Sequence, residues 1–232
     1  MIDIRKFDTL GAANHGWLDA HHHFSFANYH DPARMGWGAI RVWNDDVIAP
    51  RSGFAPHSHS DMEIITYVRS GAITHKDSLG NVGRTEAGDV QVMGAGSGVT
   101  HSEYNLDTQE TTLFQIWVHP RTAGGEPHWG MQKFPKDDRS GDWVILASGY
   151  GDAGALHINA DARVCGATLS AGSALLHSIK AGYCAYLVPA TGKIDINGVI
   201  VNRRDGIALG EGDYQIRGLE DAELVMVETI AV

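Results

Sequence analysis

Cysteine, basic residues and long apolar runs are all scarce in this chain. Only Cys165 and Cys184 occur among its 232 residues, too few for a disulfide framework and not spaced like a zinc knuckle, so both read as reduced, buried thiols. Eighteen Lys and Arg against 28 Asp and Glu leave a formal charge of -10. Affinity for nucleic acid rests on clustered cations, so a phosphate-tracking surface is disfavoured. No apolar run approaches the ~18 residues of a membrane helix, and the opening MIDIRKFDTL has neither the basic nor the apolar region of a signal peptide. The expectation is a cytoplasmic protein with no membrane association and no direct nucleic-acid partner. A long helical pattern is missing as well.

What the chain has instead is glycine, in short-strand rhythm. The 28 Gly exceed the roughly 7% of average proteins without a collagen-like period, which favours many tight turns between short strands. Segments rich in β-branched and aromatic residues recur: AIRVW (39–43), MEIITYV (62–68), DVQVM (89–93), TTLFQIWV (111–118), DWVILA (142–147), ARVCGATL (162–169), AYLVPA (185–190), GKIDING (192–198) and AELVMVETI (222–230). Gly80 and Asn81 form a hairpin-type turn. The polar, two-proline stretch EPHWGMQKFPKDDRSGD (126–142) interrupts the rhythm and reads as a linker. Across it there is a weak repeat: Glu86-Ala-Gly88-Asp89-Val-Gln91 against Gly210-Glu-Gly212-Asp213-Tyr-Gln215, and Tyr67 to Gly71 against Leu187 to Gly192. Two related β domains follow, at 1–125 and 143–232.

Histidine is abundant, at 13 residues. His57 and His59 are one residue apart, so an extended strand puts both imidazoles on one face, with α-carbons roughly 6.5 to 7 Å apart. His101 and Glu103 repeat that spacing. If the two strands are neighbours, three nitrogens and one oxygen converge, a donor set suited to iron, manganese, nickel, cobalt, copper or zinc. Glu63 has the same parity as His57 and His59, but a straight strand carries it roughly 13 Å from His59. Glu103 needs no bend and is the better fourth ligand. Phe54 is the aromatic placed best to line a pocket beside the first dyad. The run His21-His22-His23 alternates faces in a strand and is not expected to bind metal.

His57-x-His59-x-x-x-Glu63 followed by Gly71 resembles the first cupin motif. Gly88-x5-Gly94-x-Gly-x-Gly98-x-x-His101-x-x-x-Asn105 resembles the second, with Gly where Pro is common and two extra residues before the histidine. GWLDAHHHFSFANYHDP (16–32), HSHSDMEIITYV (57–68), DSLGN (77–81) and GDVQVMGAGSGVTHSEYN (88–105) together resemble the bacterial branch of the pirin family. That resemblance implies an all-β bicupin whose first barrel, not its second, holds one metal through His57, His59, His101 and Glu103. It implies a quercetin 2,3-dioxygenase that opens a polyphenol with O2. Among the metals Fe(II) is placed first, and Glu103, with Glu63 outside the ligand set as the alternative, is the nearest base for the substrate hydroxyl. The alternative it implies is a regulatory module that binds a protein partner without turnover.

Overall fold

The computed structural model describes residues 1–231. Among these, the regular elements are β-strands apart from two 3-10 turns, Phe7–Thr9 and Asp137–Arg139, and no helix is long and apolar enough to cross a membrane. The chain is an all-β bicupin. Its first strands are β1 (Ile2–Arg5), β2 (Gly11–Asn14), β3 (Leu18–His22), β4 (Ile40–Ile48), β5 (Ser52–His59) and β6 (Glu63–Ser70). They continue as β7 (Ala72–Asp77), β8 (Val82–Glu86), β9 (Val90–Gly94), β10 (Val99–Asn105), β11 (Thr111–Val118) and β12 (His128–Gln132).

A seven-stranded sheet, ordered β12-β9-β6-β11-β4-β3-β2, forms one wall of the first barrel, and the four strands β5-β10-β7-β8 form the other. The second half repeats the plan. Its larger sheet runs β1, Gly206–Leu209, Tyr183–Thr191, Ala222–Ile230, Ala162–Leu169, Val144–Ser148, Leu156–His157. Its smaller sheet runs Ala174–Ile179, Gly212–Gly218, Ile194–Ile196, Val199–Val201.

The two large sheets share one core. Phe24, Trp43, Ile65 and Phe114 pack in the same cluster as Leu146, Tyr186, Val225 and Val227 from the second half. A strand buried on both faces reads as an unbroken apolar run, which is why IITYV looks continuous in sequence. Alternation still sorts its side chains: Ile65 and Tyr67 join the shared core, while Ile64 and Val68 belong to clusters of the first barrel. Charged groups also bridge the halves. The fully buried Arg139 donates to Tyr67 Oη at 3.0 Å, Tyr67 hydrogen-bonds Glu223, and Lys136 Nζ is 2.7 Å from Glu223.

Three expectations meet a different arrangement. The stretch 126–142 is not a bare connection: β12 pairs with β9 in the first large sheet, and Arg139 plugs the shared core. In the other direction β1 pairs with Gly206–Leu209, so the chain's first strand closes the edge of the second large sheet. The internal repeat is real in topology but its Gly-Asp alignment is one strand out of step. β9 pairs with β6 as Gly206–Leu209 pairs with Tyr183–Thr191, so the partner of Gly88-Asp89 is Asp205-Gly206, not Gly212-Asp213. Gly-Asp turns precede many strands, and two of them in a row defeat a match based on the turn alone.

Candidate metal centre

β5 and β10 are antiparallel neighbours, with His101 opposite His57 and Val99 opposite His59. This register brings three imidazoles together. The ring centroids of His57, His59 and His101 lie 4.5 to 5.1 Å apart, and one nitrogen from each falls within 4.8 Å of the others. His57 Nδ1–H donates to the Ala55 carbonyl at 2.8 Å, which leaves its Nε2 free. His101 is 3% exposed and its Nε2 has no hydrogen-bond partner. An orphaned buried imidazole nitrogen facing two other imidazoles is what a ligand cluster requires, so these residues fit a divalent metal.

Burial keeps His59 and His101 neutral. It lowers His59 to about 4, with His57 adding to the effect, and lowers His101 to about 3, helped by the positive charge that His57, His59 and His75 would carry. Neutral imidazole is the form that binds metal.

Glu103 is positioned differently from the three imidazoles. A β-bulge between His101 and Glu103 shifts the register on the β5 side, and the carboxylate groups with His75 and His101 within 4.8 Å. It is 2% exposed. Gln91 Nε2 donates to Oε1 at 2.6 Å, Thr66 Oγ1 donates to it at 3.3 Å, and Gln115 Nε2 donates to Oε2 at 2.7 Å. Burial pushes Glu103 up to about 7, against the pull of those donors from Gln115, Thr66 and Gln91. A carboxyl that titrates near neutrality beside His101 is equipped both to bind a cation and to take a proton.

Glu63 is a correction. It opens β6 in the other sheet, after a reversal at Asp61, whose φ is 51°. The parity that seemed to align it with His57 presumes one continuous strand, and the reversal ends that strand. Glu63 lies in a cleft with Gly96, His128 and Asn159, its Oε2 3.9 Å from His128 Nε2, while its neighbour Ile64 faces the cavity of the imidazoles. Phe54 does line that cavity, edge-on to Trp17 with ring centroids 5.0 Å apart. Of the histidine run, His22 faces the cavity, His21 lies over Phe7, and His23 is buried against Tyr186 Oη at 2.9 Å.

Sequence reasoning passed over His75 and Asp77. His75 Nε2–H donates to Asp77 Oδ2 at 3.1 Å, so its Nδ1 is left to accept from His101 Nδ1–H at 3.5 Å. The relay leaves His101 Nε2 as a lone pair aimed at the cluster. Trp129 of β12 stacks on His75, centroids 5.0 Å apart and planes 11° apart, and Gly83 has no side chain because a Cβ there would meet the Trp129 ring at 2.1 Å. The signal was present: His75 and Asp77 share the i, i+2 spacing of the ligand dyads. Asp77→Asn sets an amide N–H against His75 and is expected to weaken metal binding about 10- to 100-fold, measured by chelator competition. Unchanged affinity would remove the relay from the account.

At the positions of the second barrel matching His57, His59, His101 and Glu103, counted from the start of the corresponding strand pair, stand His177, Ile179, Tyr214 and Ile216. His177 Nε2 is 2.9 Å from Glu228.

Two fused cupin barrels with a converging imidazole cluster in the first define a bicupin metal protein. Residues 4–118 match the pirin family model, and residues 145–229 match the model of the quercetinase C-terminal cupin domain. The chain belongs to the pirin family. It is 60% identical to a pirin-like protein of Caulobacter vibrioides over 98% of this chain and 99% of that protein. It is 40% identical to quercetin 2,3-dioxygenase of Escherichia coli K12, over 98% of both. The crystal structure of the bacterial pirin YhhW from Escherichia coli in complex with nickel(II) superposes with a TM-score of 0.94, 38% identity and full coverage of both chains.

Proposed function

We propose that the chain is a metal-dependent dioxygenase that opens flavonols such as quercetin with O2 and loss of carbon monoxide. The observation that carries this is the cavity in front of the imidazoles. It measures about 220 Å³, is walled by Phe26, Phe54, Trp117, Leu18 and Ile64, and has Glu103 at its polar end. A planar aromatic fits such walls, and a carboxyl titrating near 7 suits the removal of a hydroxyl proton at neutral pH. The names of the relatives point to the same substrate class.

His57, His59 and His101, with Glu103, would hold the metal, Fe(II) first among the candidates and nickel, cobalt, manganese, copper or zinc as others. When bound, it supplies Lewis acidity toward a substrate hydroxyl and access to redox chemistry with O2. The chain's own residues do the rest. Phe54, Phe26 and Trp117 hold the ring plane and exclude water. Glu103, a loose ligand that shifts when substrate arrives, takes the hydroxyl proton, and Gln91 and Gln115, which each donate to it, keep its carboxyl aimed. Glu63 lies outside the cavity and has no part in this transfer. We assign the metal to the first barrel alone and to the second a supporting role, with the division between them within 126–142.

Protein reconstituted separately with iron, nickel, cobalt, manganese and copper should bleach quercetin in the presence of O2, with carbon monoxide released in step, for at least one metal. No O2-dependent bleaching with any of them would overturn the enzymatic reading in favour of a metal-dependent binding protein.

A further inference from the structure

The cavity holds a second carboxyl that the proton transfer above does not use. Asp45 and Asp46 are adjacent on β4 and point to opposite faces of the large sheet. Asp45 pairs with Arg69 and Arg204 on the side of the second barrel. Asp46 faces the cavity, on the wall across from the imidazoles of β5 and β10. It is 2% exposed, and its Oδ1 has no hydrogen-bond partner among the described residues. The polar neighbours on that wall are already engaged, His22 Nδ1 with Asn44 Oδ1 at 2.8 Å and Gln115 Nε2 with Glu103 at 2.7 Å, and the residues directly across from Asp46 on the flanking strands, Ala20 and Leu113, are apolar. Burial, then the nearby Asp45 and Glu103, hold Asp46 well above the usual carboxylate range.

A buried carboxyl oxygen without a partner is a standing cost to the folded protein. No side chain on its wall relieves it, so the oxygen is open to a ligand that enters the cavity. We propose that Asp46 is the hydroxyl-recognising residue of this cavity, pairing with a hydroxyl of an aromatic polyol other than the one presented to the imidazole cluster. The ligand class rests on the dioxygenase reading, and the subsite rests on Asp46 itself. It selects for polyhydroxylated rings, because a ligand lacking that hydroxyl leaves the carboxyl unpaired.

The test is anaerobic binding to the metal-loaded protein, followed by tryptophan fluorescence, with quercetin and with 3-hydroxyflavone, which keeps only the 3-hydroxyl. Wild type should prefer quercetin by about 10-fold or more. Asp46→Leu and Asp46→Ala should bring the ratio to about 1, chiefly by weakening quercetin, with metal content unchanged, while Asp46→Asn, which can still pair with a hydroxyl, keeps most of the preference. An undiminished preference in either folded Leu or Ala variant overturns the assignment, as does equal binding of both flavonols by wild type. If wild type binds neither flavonol, the dioxygenase reading falls with it, an outcome distinct from loss of selectivity alone.

Discussion

His101→Ala is expected to abolish stoichiometric metal binding and to lower quercetin turnover by more than the ~100-fold that loss of an outer partner can cause. His101 is the centre of the cluster: its ring lies 4.5 Å from that of His57, 5.1 Å from that of His59 and 5.3 Å from that of His75. Alanine removes the buried Nε2 that has no other partner and also the Nδ1–H that donates into the Asp77–His75 relay. Two imidazoles on one strand then remain, with the Glu103 carboxyl cut off from them by loss of the residue both groups share, which is a weak chelate. Elemental analysis after reconstitution reads the outcome directly. His177→Ala, on the second barrel beside Glu228, is the control and should keep full metal. Full metal in His101→Ala would place the site elsewhere.

The second large effect is on stability and has an unusual sign. Glu103 titrates at about 7 in the folded protein against an ordinary 4.5. As pH rises from 4.5, the unfolded chain gives up this proton while the folded chain keeps it, so metal-free protein loses stability until pH passes 7. The linkage amounts to about 3 kcal/mol for a gap of this size. Glu103→Gln cannot ionise and escapes the loss. The metal-free variant should therefore gain about 3 kcal/mol on wild type between pH 4.5 and pH 8, and the gap should narrow or reverse once metal is added to wild type. Denaturant unfolding at the two pH values, with and without metal, measures it. Parallel pH profiles for the two proteins would mean that the carboxyl is already ionised below neutrality and is unsuited to take a proton.

Both effects come from residues whose types were legible in the sequence. His57-x-His59 and His101-x-Glu103 announce themselves because strand periodicity is local: two residues apart means one face, whatever the rest of the chain does. The all-β class was equally legible, since short apolar runs between glycine turns leave few other options. Less of the strand inventory was visible. β12, HWGMQ, lacks the apolar alternation that marks a strand because it closes a sheet edge, and β3, LDAHH, alternates over only four residues before its second histidine ends the pattern. β4 seemed to end at Trp43 because Asn44, Asp45 and Asp46 follow, yet it runs on to Ile48. Arg69 and Arg204, distant in sequence, neutralise Asp45.

The sequence alone determined which side chains could share a strand face, and hence that two dyads of metal-capable groups existed. Only the tertiary structure decided what those dyads meet. The β5–β10 register sets His101 against His57, and the bulge before Glu103 turns its carboxylate toward His75, Gln91 and Gln115. The reversal at Asp61 moves Glu63 to another sheet and another cleft. The physical reason is the range of the forces involved. Side-chain direction along a strand is fixed by bonded geometry over two residues. The pairing of strands, and with it the company each polar group keeps, is chosen by burial and hydrogen bonding summed over the whole barrel.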